Sequence, residues 1–71
     1  MLTDRQTEIC KTIIELTENK GFSPTYQEIA TALGLKNRSG IVQHLERLRK
    51  KGYVTWIRGD RRTLTVINKD V

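Results

Sequence analysis

The stretch GLKNRSGIVQHLERLRKKGY, residues 34–53, has small or uncharged side chains at Ser39, Gly40, Val42 and Gln43, and several basic ones toward its end. A glutamine can donate to and accept from the edge of adenine, an aliphatic side chain can contact a thymine methyl group, and a serine can serve either way. Gln43, Val42 and Ser39 supply these three types. Gly40 lacks a Cβ and would let the backbone approach another surface closely. Together they predict contact with base edges in a major groove.

Helical periodicity places these side chains opposite an apolar stripe. At about 100° per residue, Ile41, Leu45 and Leu48 fall on one side of a helix and are predicted to face the core. The residues predicted on the opposite side are Ser39, Gln43, Glu46, Arg47 and Lys50, with Gly40 and Val42 on its flanks. Because the cations come last, this side suits a helix whose first turns enter a major groove while later cations meet the phosphates.

Two residues at the start of this helix each have two interpretations. Gly40 costs roughly 0.5–1 kcal/mol relative to alanine within a helix. Its presence is explained either by close approach of the helix backbone to a partner or by its place near a fraying helix end. Asn37 either caps the helix or, if Ser39 is the cap, reaches toward DNA. The sequence leaves both pairs of alternatives open.

Capping signals define the helices that hold this stretch. Thr3 with Gln6, and Thr25 with Glu28, stand at the spacing of a capping box, in which each side chain accepts from the other residue's backbone N–H. Apolar residues at helical spacing follow each box, and a glycine follows each predicted helix. The predicted helices run over about residues 4–20, 25–33 and 38–51.

A β-hairpin is predicted after the helices, over about residues 53–67. The segments YVTWIR and TLTVI are rich in β-branched and aromatic residues, and they flank GDRR, a glycine-containing loop of hairpin length. The arginines around this loop are Arg58, Arg61 and Arg62. They are placed to reach an adjacent minor groove or the DNA backbone. Trp56 and Tyr53 are expected to cover the small core instead of stacking on bases.

Length and composition predict one small domain over residues 1–71. It is mainly α with a small β-hairpin, an α+β fold of the three-helix winged helix-turn-helix type. Cys10 is the single cysteine, so no internal disulfide can form and a reducing cytosol is the expected setting. No apolar run is long enough to span a membrane, and the start MLTDRQTEIC lacks the segments of a secretion signal. We therefore expect a cytoplasmic, nucleoid-associated protein with no membrane partner.

The charge is divided along the chain. Residues 1–35 carry three basic and five acidic residues, whereas residues 36–62 carry nine basic and two acidic ones. The overall net charge of +5 therefore comes from the second segment. A basic half beside an acidic half favours a polyanionic partner approached from one side.

Several segments together resemble a known family. LTDRQTEI, GFSPTYQEIATALGL and HLERLRKKGYV, with the arginine-bearing hairpin, are similar to the N-terminal DNA-binding domain of the LexA repressor, from about Leu2 to Ile67. In that family the third helix reads the operator, the start of the second helix and the wing contact the DNA backbone, and two copies bind a pseudo-palindrome. The resemblance implies a transcriptional repressor that binds double-stranded DNA, a pseudo-palindromic operator and a dimer on DNA.

The resemblance assigns the candidate DNA contacts by position. The base-reading positions are Asn37, Ser39, Gly40, Val42 and Gln43. The best-known members carry Ser, Asn, Ala and two Glu at these places, so the usual SOS operator should not be assumed. The candidate contacts to the backbone, or through the wing, are Thr25, Tyr26, Arg38, Arg47, Lys50, Arg58, Arg61 and Arg62. Thr25 has a second interpretation as a plain helix cap.

The resemblance stops before a second domain. LexA-type repressors continue into a dimerising, self-cleaving peptidase domain with a Ser–Lys pair. The sequence ends at Val71. We therefore expect either an excised domain of a larger repressor or a stand-alone small regulator, with no self-cleavage by these residues.

Other functional classes have weaker support in the sequence. A catalytic dyad would need the single histidine, His44, beside Cys10 and a third orienting group, and no residues show zinc-ligand spacing or a phosphate-binding glycine loop. We therefore expect no enzyme, cofactor, metal or small-molecule substrate. The main alternative is a winged-helix module that binds another regulator. Such a surface needs exposed apolar anchors, and the outward side of the third helix offers only Val42.

Overall fold

The computed structural model describes residues 2–60 and 62–69. Within them lie three helices, α1 (Asp4–Lys20), α2 (Tyr26–Ala32) and α3 (Ser39–Lys50), followed by strands β1 (Val54–Thr55) and β2 (Thr65–Val66). The strands pair antiparallel, with Val54 opposite Val66 and Thr55 opposite Thr65. This is the predicted α+β architecture, and each predicted helix matches to within a residue at either end. None of the described helices is both long and apolar enough to cross a membrane.

Both predicted capping boxes are present. The backbone N–H of Gln6 donates to Thr3 Oγ1 at 3.1 Å, and the N–H of Thr3 donates to Gln6 Oε1 at 3.1 Å. At the start of α2 the N–H of Glu28 donates to Thr25 Oγ1 at 3.2 Å, and the N–H of Thr25 donates to Glu28 Oε1 at 2.8 Å. Each box satisfies backbone donors that have no partner inside the helix.

The turn between α2 and α3 is closed by local hydrogen bonds. Gly34 has a φ of 76°, and the N–H of Leu35 donates to the carbonyl of Ala30 at 2.8 Å, which ends α2. The Oδ1 of Asn37 then accepts from the backbone N–H of Ser39 at 3.1 Å and from the Ser39 hydroxyl. Arg38 holds the N-cap position, without a side-chain capping bond, so neither Asn37 nor Ser39 is the cap that the sequence predicts. Asn37 instead braces the first turn of α3 through its Oδ1, and Ser39 is the first residue of the helix.

The apolar side of α3 supplies the centre of the core. Ile41, Leu45 and Leu48 are fully buried, as the periodicity predicts. The other buried apolar residues come from α1, α2 and the hairpin, and they are Ile9, Cys10, Ile13, Ile29, Ala30, Val54, Trp56, Leu64 and Val66. Tyr53 packs against this cluster, so both aromatic residues of the hairpin region cover the core as predicted. The other sides of α2 and α3 are left at the surface.

The hairpin strands are shorter than the sequence predicts. Buried and exposed side chains continue to alternate through Trp56 and Leu64, but the pairing of the strands stops at Thr55 and Thr65. The N–H of Ile57 donates to the Thr63 hydroxyl at 2.7 Å, so a side chain replaces the next main-chain rung. Residues 56–60 and 62–64, called the wing loop below, therefore form a wider connection than the predicted four-residue GDRR turn.

Candidate nucleic-acid interface

The neutral face, by which we mean Asn37, Ser39, Gly40, Val42 and Gln43, lies at the start of α3 and on the turn before it. All of these residues except Val42 are exposed, and Val42 is half-buried. The helix places them opposite the buried stripe because side chains three or four residues apart share a side. The hairpin does not cover this face, so the first turns of α3 are available to a partner.

Nothing inside the described fold requires glycine at position 40. Its φ is not positive. Apart from its two chain neighbours and the nearby backbone of its own helix, no heavy atom of the described residues lies within 4 Å of the place that a Cβ would take. The space beside Gly40 is open to solvent. A larger residue would therefore fit the isolated domain, and a demand for glycine has to come from outside it.

Cations border the neutral face. Arg38 stands at the N-cap position of α3, and Arg47 and Lys50 lie on its last turns. All three residues are exposed. Cations near a helix C-terminus also interact favourably with the negative end of the helix dipole. The neutral face at the start of α3 is thus flanked by cations. This arrangement would let the face meet the bases in a groove while the cations meet the phosphates on either side.

An open groove of about 590 Å³ separates α3 from the wing loop. Val42 and Glu46 line its α3 side, Thr25 and Tyr26 its α2 side, and Arg58 its wing side. Its remaining lining residues are Gln27, Arg38, Trp56, Ile57, Gly59, Asp60 and Leu64. The groove therefore brings together predicted contact residues from all three elements.

Tyr26 and Trp56 connect the walls of this groove. Their rings meet edge to face, with centroids 6.1 Å apart and planes at 88°. Burial raises the pKa of the Tyr26 hydroxyl, and the nearby negative charge of Glu46 raises it further. The hydroxyl therefore stays protonated at neutral pH and can donate a hydrogen bond. Thr25, beside it, has its hydroxyl engaged by the N–H of Glu28, so its capping role is confirmed.

The arginines of the wing loop have different surroundings. Arg58 has a side chain that is 78% exposed, with Nη2 at 3.9 Å from Oε2 of Glu46. Arg62 turns back toward the loop before α2, where its Nη1 donates to Glu28 Oε1 at 3.1 Å and to the carbonyl of Ser23 at 3.0 Å. Arg61 lies outside the described residues. The wing therefore presents Arg58 to solvent, while Arg62 is bound to its own domain.

Arg49 is a functional candidate that the sequence analysis missed. Its guanidinium lies 4.5 Å from the ring centroid of Trp56, and its Nη2 donates to the carbonyl of Trp56 at 3.2 Å. These contacts join the end of α3 to the start of the wing loop. The only signal in the sequence is an arginine among the cations of α3, seven residues before a tryptophan, and such spacing specifies no contact.

Cys10 and His44, the residues considered for catalysis, have unsuitable surroundings. Cys10 is fully buried, and burial raises the pKa of its thiol, whereas a nucleophilic cysteine needs a lowered one. The Nδ1 of His44 is buried with no hydrogen-bond partner in the described part of the chain. Among the same residues, no three or more His, Cys, Asp or Glu side chains are grouped so that they could hold a metal ion.

Comparison with known proteins agrees with the fold. The profile of the LexA DNA-binding domain family matches residues 1–63. The chain belongs to this LexA DNA-binding domain family. In its winged helix-turn-helix fold, α2 and α3 form the helix-turn-helix and the hairpin forms the wing.

Individual relatives of this LexA-family chain are similar over most of its length. The LexA repressor of Geobacter sp. is 42% identical over 69 residues, 97% of this chain and 34% of that protein. That of Citrifermentans bemidjiense is 43% identical over 68 residues, 96% of this chain and 34% of the relative. The LexA repressor of Myxococcus xanthus is 36% identical over 66 residues, which are 93% of this chain and 29% of that protein. The chain spans about a third of the length of these curated relatives.

Proposed function

We propose that this chain binds double-stranded DNA in a sequence-specific manner and acts in transcriptional repression. The α3 helix enters a major groove, and the wing contacts the adjacent backbone or minor groove. The observation that carries the proposal is the exposed neutral face of α3 with cations around it. The relatives named LexA repressors support the repressor part.

The neutral face reads the bases. Gln43 offers a donor and an acceptor to an adenine edge, Val42 an apolar contact to a thymine methyl group, and Ser39 a hydroxyl. Gly40 lets the helix backbone come close, and its open surroundings support this role. Asn37 holds the first turn of α3 through its Oδ1 and reaches the DNA from the same edge.

Cations and hydroxyls around this face hold the duplex. The assigned backbone or wing contacts are Thr25, Tyr26, Arg38, Arg47, Lys50, Arg58 and Arg61. Each cation that neutralises a phosphate releases counterions, so binding weakens as salt is added. The protonated hydroxyl of Tyr26 donates to a phosphate oxygen from the α2 side of the groove.

Two copies bind one operator. A single domain of this size offers little contact for both high affinity and selectivity. A two-fold arrangement of two α3 helices requires half-sites related by inversion. Because the base-reading residues differ from those of the best-known family members, the usual SOS operator is not assumed to be the target.

Selection of duplex oligonucleotides from a random pool tests this function. We expect an enriched pseudo-palindrome whose half-sites are separated by about one helical turn, or 10–10.5 base pairs, or a multiple of it. Variants at Glu8 and Asn19, exposed on α1, serve as controls that should enrich the same sequence. A pool without any enriched sequence would contradict the proposal and favour the alternative, a winged-helix module that docks on another regulator.

A further inference from the structure

Arg62 is held in a fitted site on its own domain. Besides the bonds to Ser23 and Glu28 Oε1, its Nη2 lies 3.5 Å from Glu28 Oε2, so the two terminal nitrogens of the guanidinium face the carboxylate. The guanidinium also lies 4.5 Å from the centroid of the Phe22 ring. Two-pronged pairing of an arginine with a carboxylate fixes orientation as well as distance. These contacts join residues 34 and 39 positions apart.

The carboxylate that receives Arg62 is itself held in place. Glu28 lies in the first turn of α2, and its Oε1 accepts the N–H of Thr25 at 2.8 Å within the capping box. An exposed ion pair with Lys20, at 3.2 Å, adds to this. Because the capping box fixes the position of the glutamate, the end of the wing loop has a defined place to dock.

The start of the wing loop is held by the other arginine. Arg49 stacks on Trp56 and bonds its carbonyl, as described above. The wing loop is therefore fastened at Trp56 to α3 and at Arg62 to α2. Arg58 lies between these two points with most of its side chain in solvent.

We propose that Arg62 is a positioning residue whose pairing with Glu28 sets the angle of the wing, and that it does not neutralise a phosphate. The inference rests on the proposed DNA binding. A guanidinium already paired with a carboxylate has its charge compensated, so moving it to a phosphate would exchange one anion for another. A wing fixed beforehand instead lowers the ordering cost of binding and presents Arg58 to the duplex.

Four variants separate positioning from phosphate contact. Arg62→Gln and Glu28→Gln break the pair from either side, and glutamine keeps the capping box at position 28. Arg5→Gln and Glu8→Gln are matched controls, because these residues form an exposed ion pair on α1 at 2.8 Å. Affinity for the selected duplex is measured over a range of salt concentrations.

If Arg62 positions the wing, Arg62→Gln and Glu28→Gln should each bind the duplex roughly two- to fivefold more weakly. This is the size of effect expected from the free energy of a surface ion pair. Both should keep the wild-type salt slope, and the double variant should bind like either single one. The decisive variant is Glu28→Gln, because it removes a negative charge and yet should weaken binding to a polyanion. Tighter binding by Glu28→Gln, or a salt slope lowered by about one in Arg62→Gln, would overturn the proposal.

A measurement on the free protein tests the pair independently of DNA. NMR order parameters of the Ile57 and Thr63 amides should fall in Arg62→Gln and Glu28→Gln and stay unchanged in the α1 controls. If the wild-type chain binds no duplex, the proposed function fails while this result still supports or contradicts the fastening of the wing. Unchanged order parameters, or lower ones with unchanged DNA affinity, would overturn the positioning role.

Discussion

Glu28 shows how much one residue can organise in a small domain. Its carboxylate accepts from the N–H of Thr25, from Arg62 and from Lys20. The hydrogen bond from Thr25 is the largest cause that lowers the pKa of Glu28 to about 2, and the bond from Arg62 is the next. The ionised form is thus favoured by the fold because donors surround it.

The pH dependence of stability should report this residue. Because the folded-state pKa lies below the ordinary value of 4.5, ionised Glu28 stabilises the fold above pH 4.5, and that stabilisation is lost as pH falls toward 2. We expect wild-type protein to melt at a higher temperature than Glu28→Gln at pH 6, with the difference shrinking between pH 4.5 and 2. Thermal unfolding across this range measures it, with Glu15→Gln on α1 as the control. A difference that grows on acidification would contradict the account.

Gln43 carries the clearest prediction about sequence specificity. Its side chain is exposed on the neutral face, where an amide can pair with one base edge. Gln43→Ala should weaken binding to the selected duplex by roughly 1–3 kcal/mol and relax the preference at one base pair. Competition with duplexes substituted singly at each position measures both effects. An equal loss of affinity for all sequences would mean that Gln43 does not read a base.

Within α3, Gly40 tests whether the helix approaches DNA closely. Gly40→Leu should fold as well as wild type or better, because leucine favours helix by roughly 0.5–1 kcal/mol and the site is open. The same variant should bind the duplex poorly, since its side chain would occupy the space between helix and bases. Asn19→Leu, on an exposed position of α1, is the control for an added surface leucine. Normal binding by Gly40→Leu would exclude close approach at this position.

The wing should contribute affinity without sequence preference. Of the two described arginines in the wing, Arg58 has the more exposed side chain, and we assign it a contact with the DNA backbone. Arg58→Gln should weaken binding to specific and non-specific duplexes alike and lower the salt slope by about one. Binding titrations at several salt concentrations distinguish this from the unchanged slope expected of Arg62→Gln. An unchanged slope in Arg58→Gln would remove Arg58 from the phosphate contacts.

The elements were predictable where their signals are local. Capping boxes mark the starts of α1 and α2, and apolar periodicity with a glycine just beyond the helix marks all three helices to within a few residues. The strands were overextended because β-branched residues favour a strand wherever they occur, while the hydroxyl of Thr63 ends the ladder. The pairing of Arg62 with Glu28 joins residues 34 positions apart, and no local pattern encodes it.

In the molecule as a whole, the division of charge along the sequence becomes a division between elements. The basic segment 36–62 contains α3 and most of the wing, whereas the acidic first half contains α1 and α2. Some cations of the basic segment also stabilise the fold, because Arg49 and Arg62 fasten the wing loop to α3 and α2. Net charge alone therefore overstates the number of cations available to a polyanion.

Mapping the bound duplex onto the protein shows whether DNA lies against the neutral face of α3. In an NMR titration of the ¹⁵N-labelled domain with the selected duplex, we expect the largest amide shifts over residues 37–43 and in the wing loop, with small shifts on the exposed side of α1. This would place the DNA on the neutral face of α3. Shifts confined to α1, or a neutral face whose amides do not respond at saturating duplex, would contradict the account.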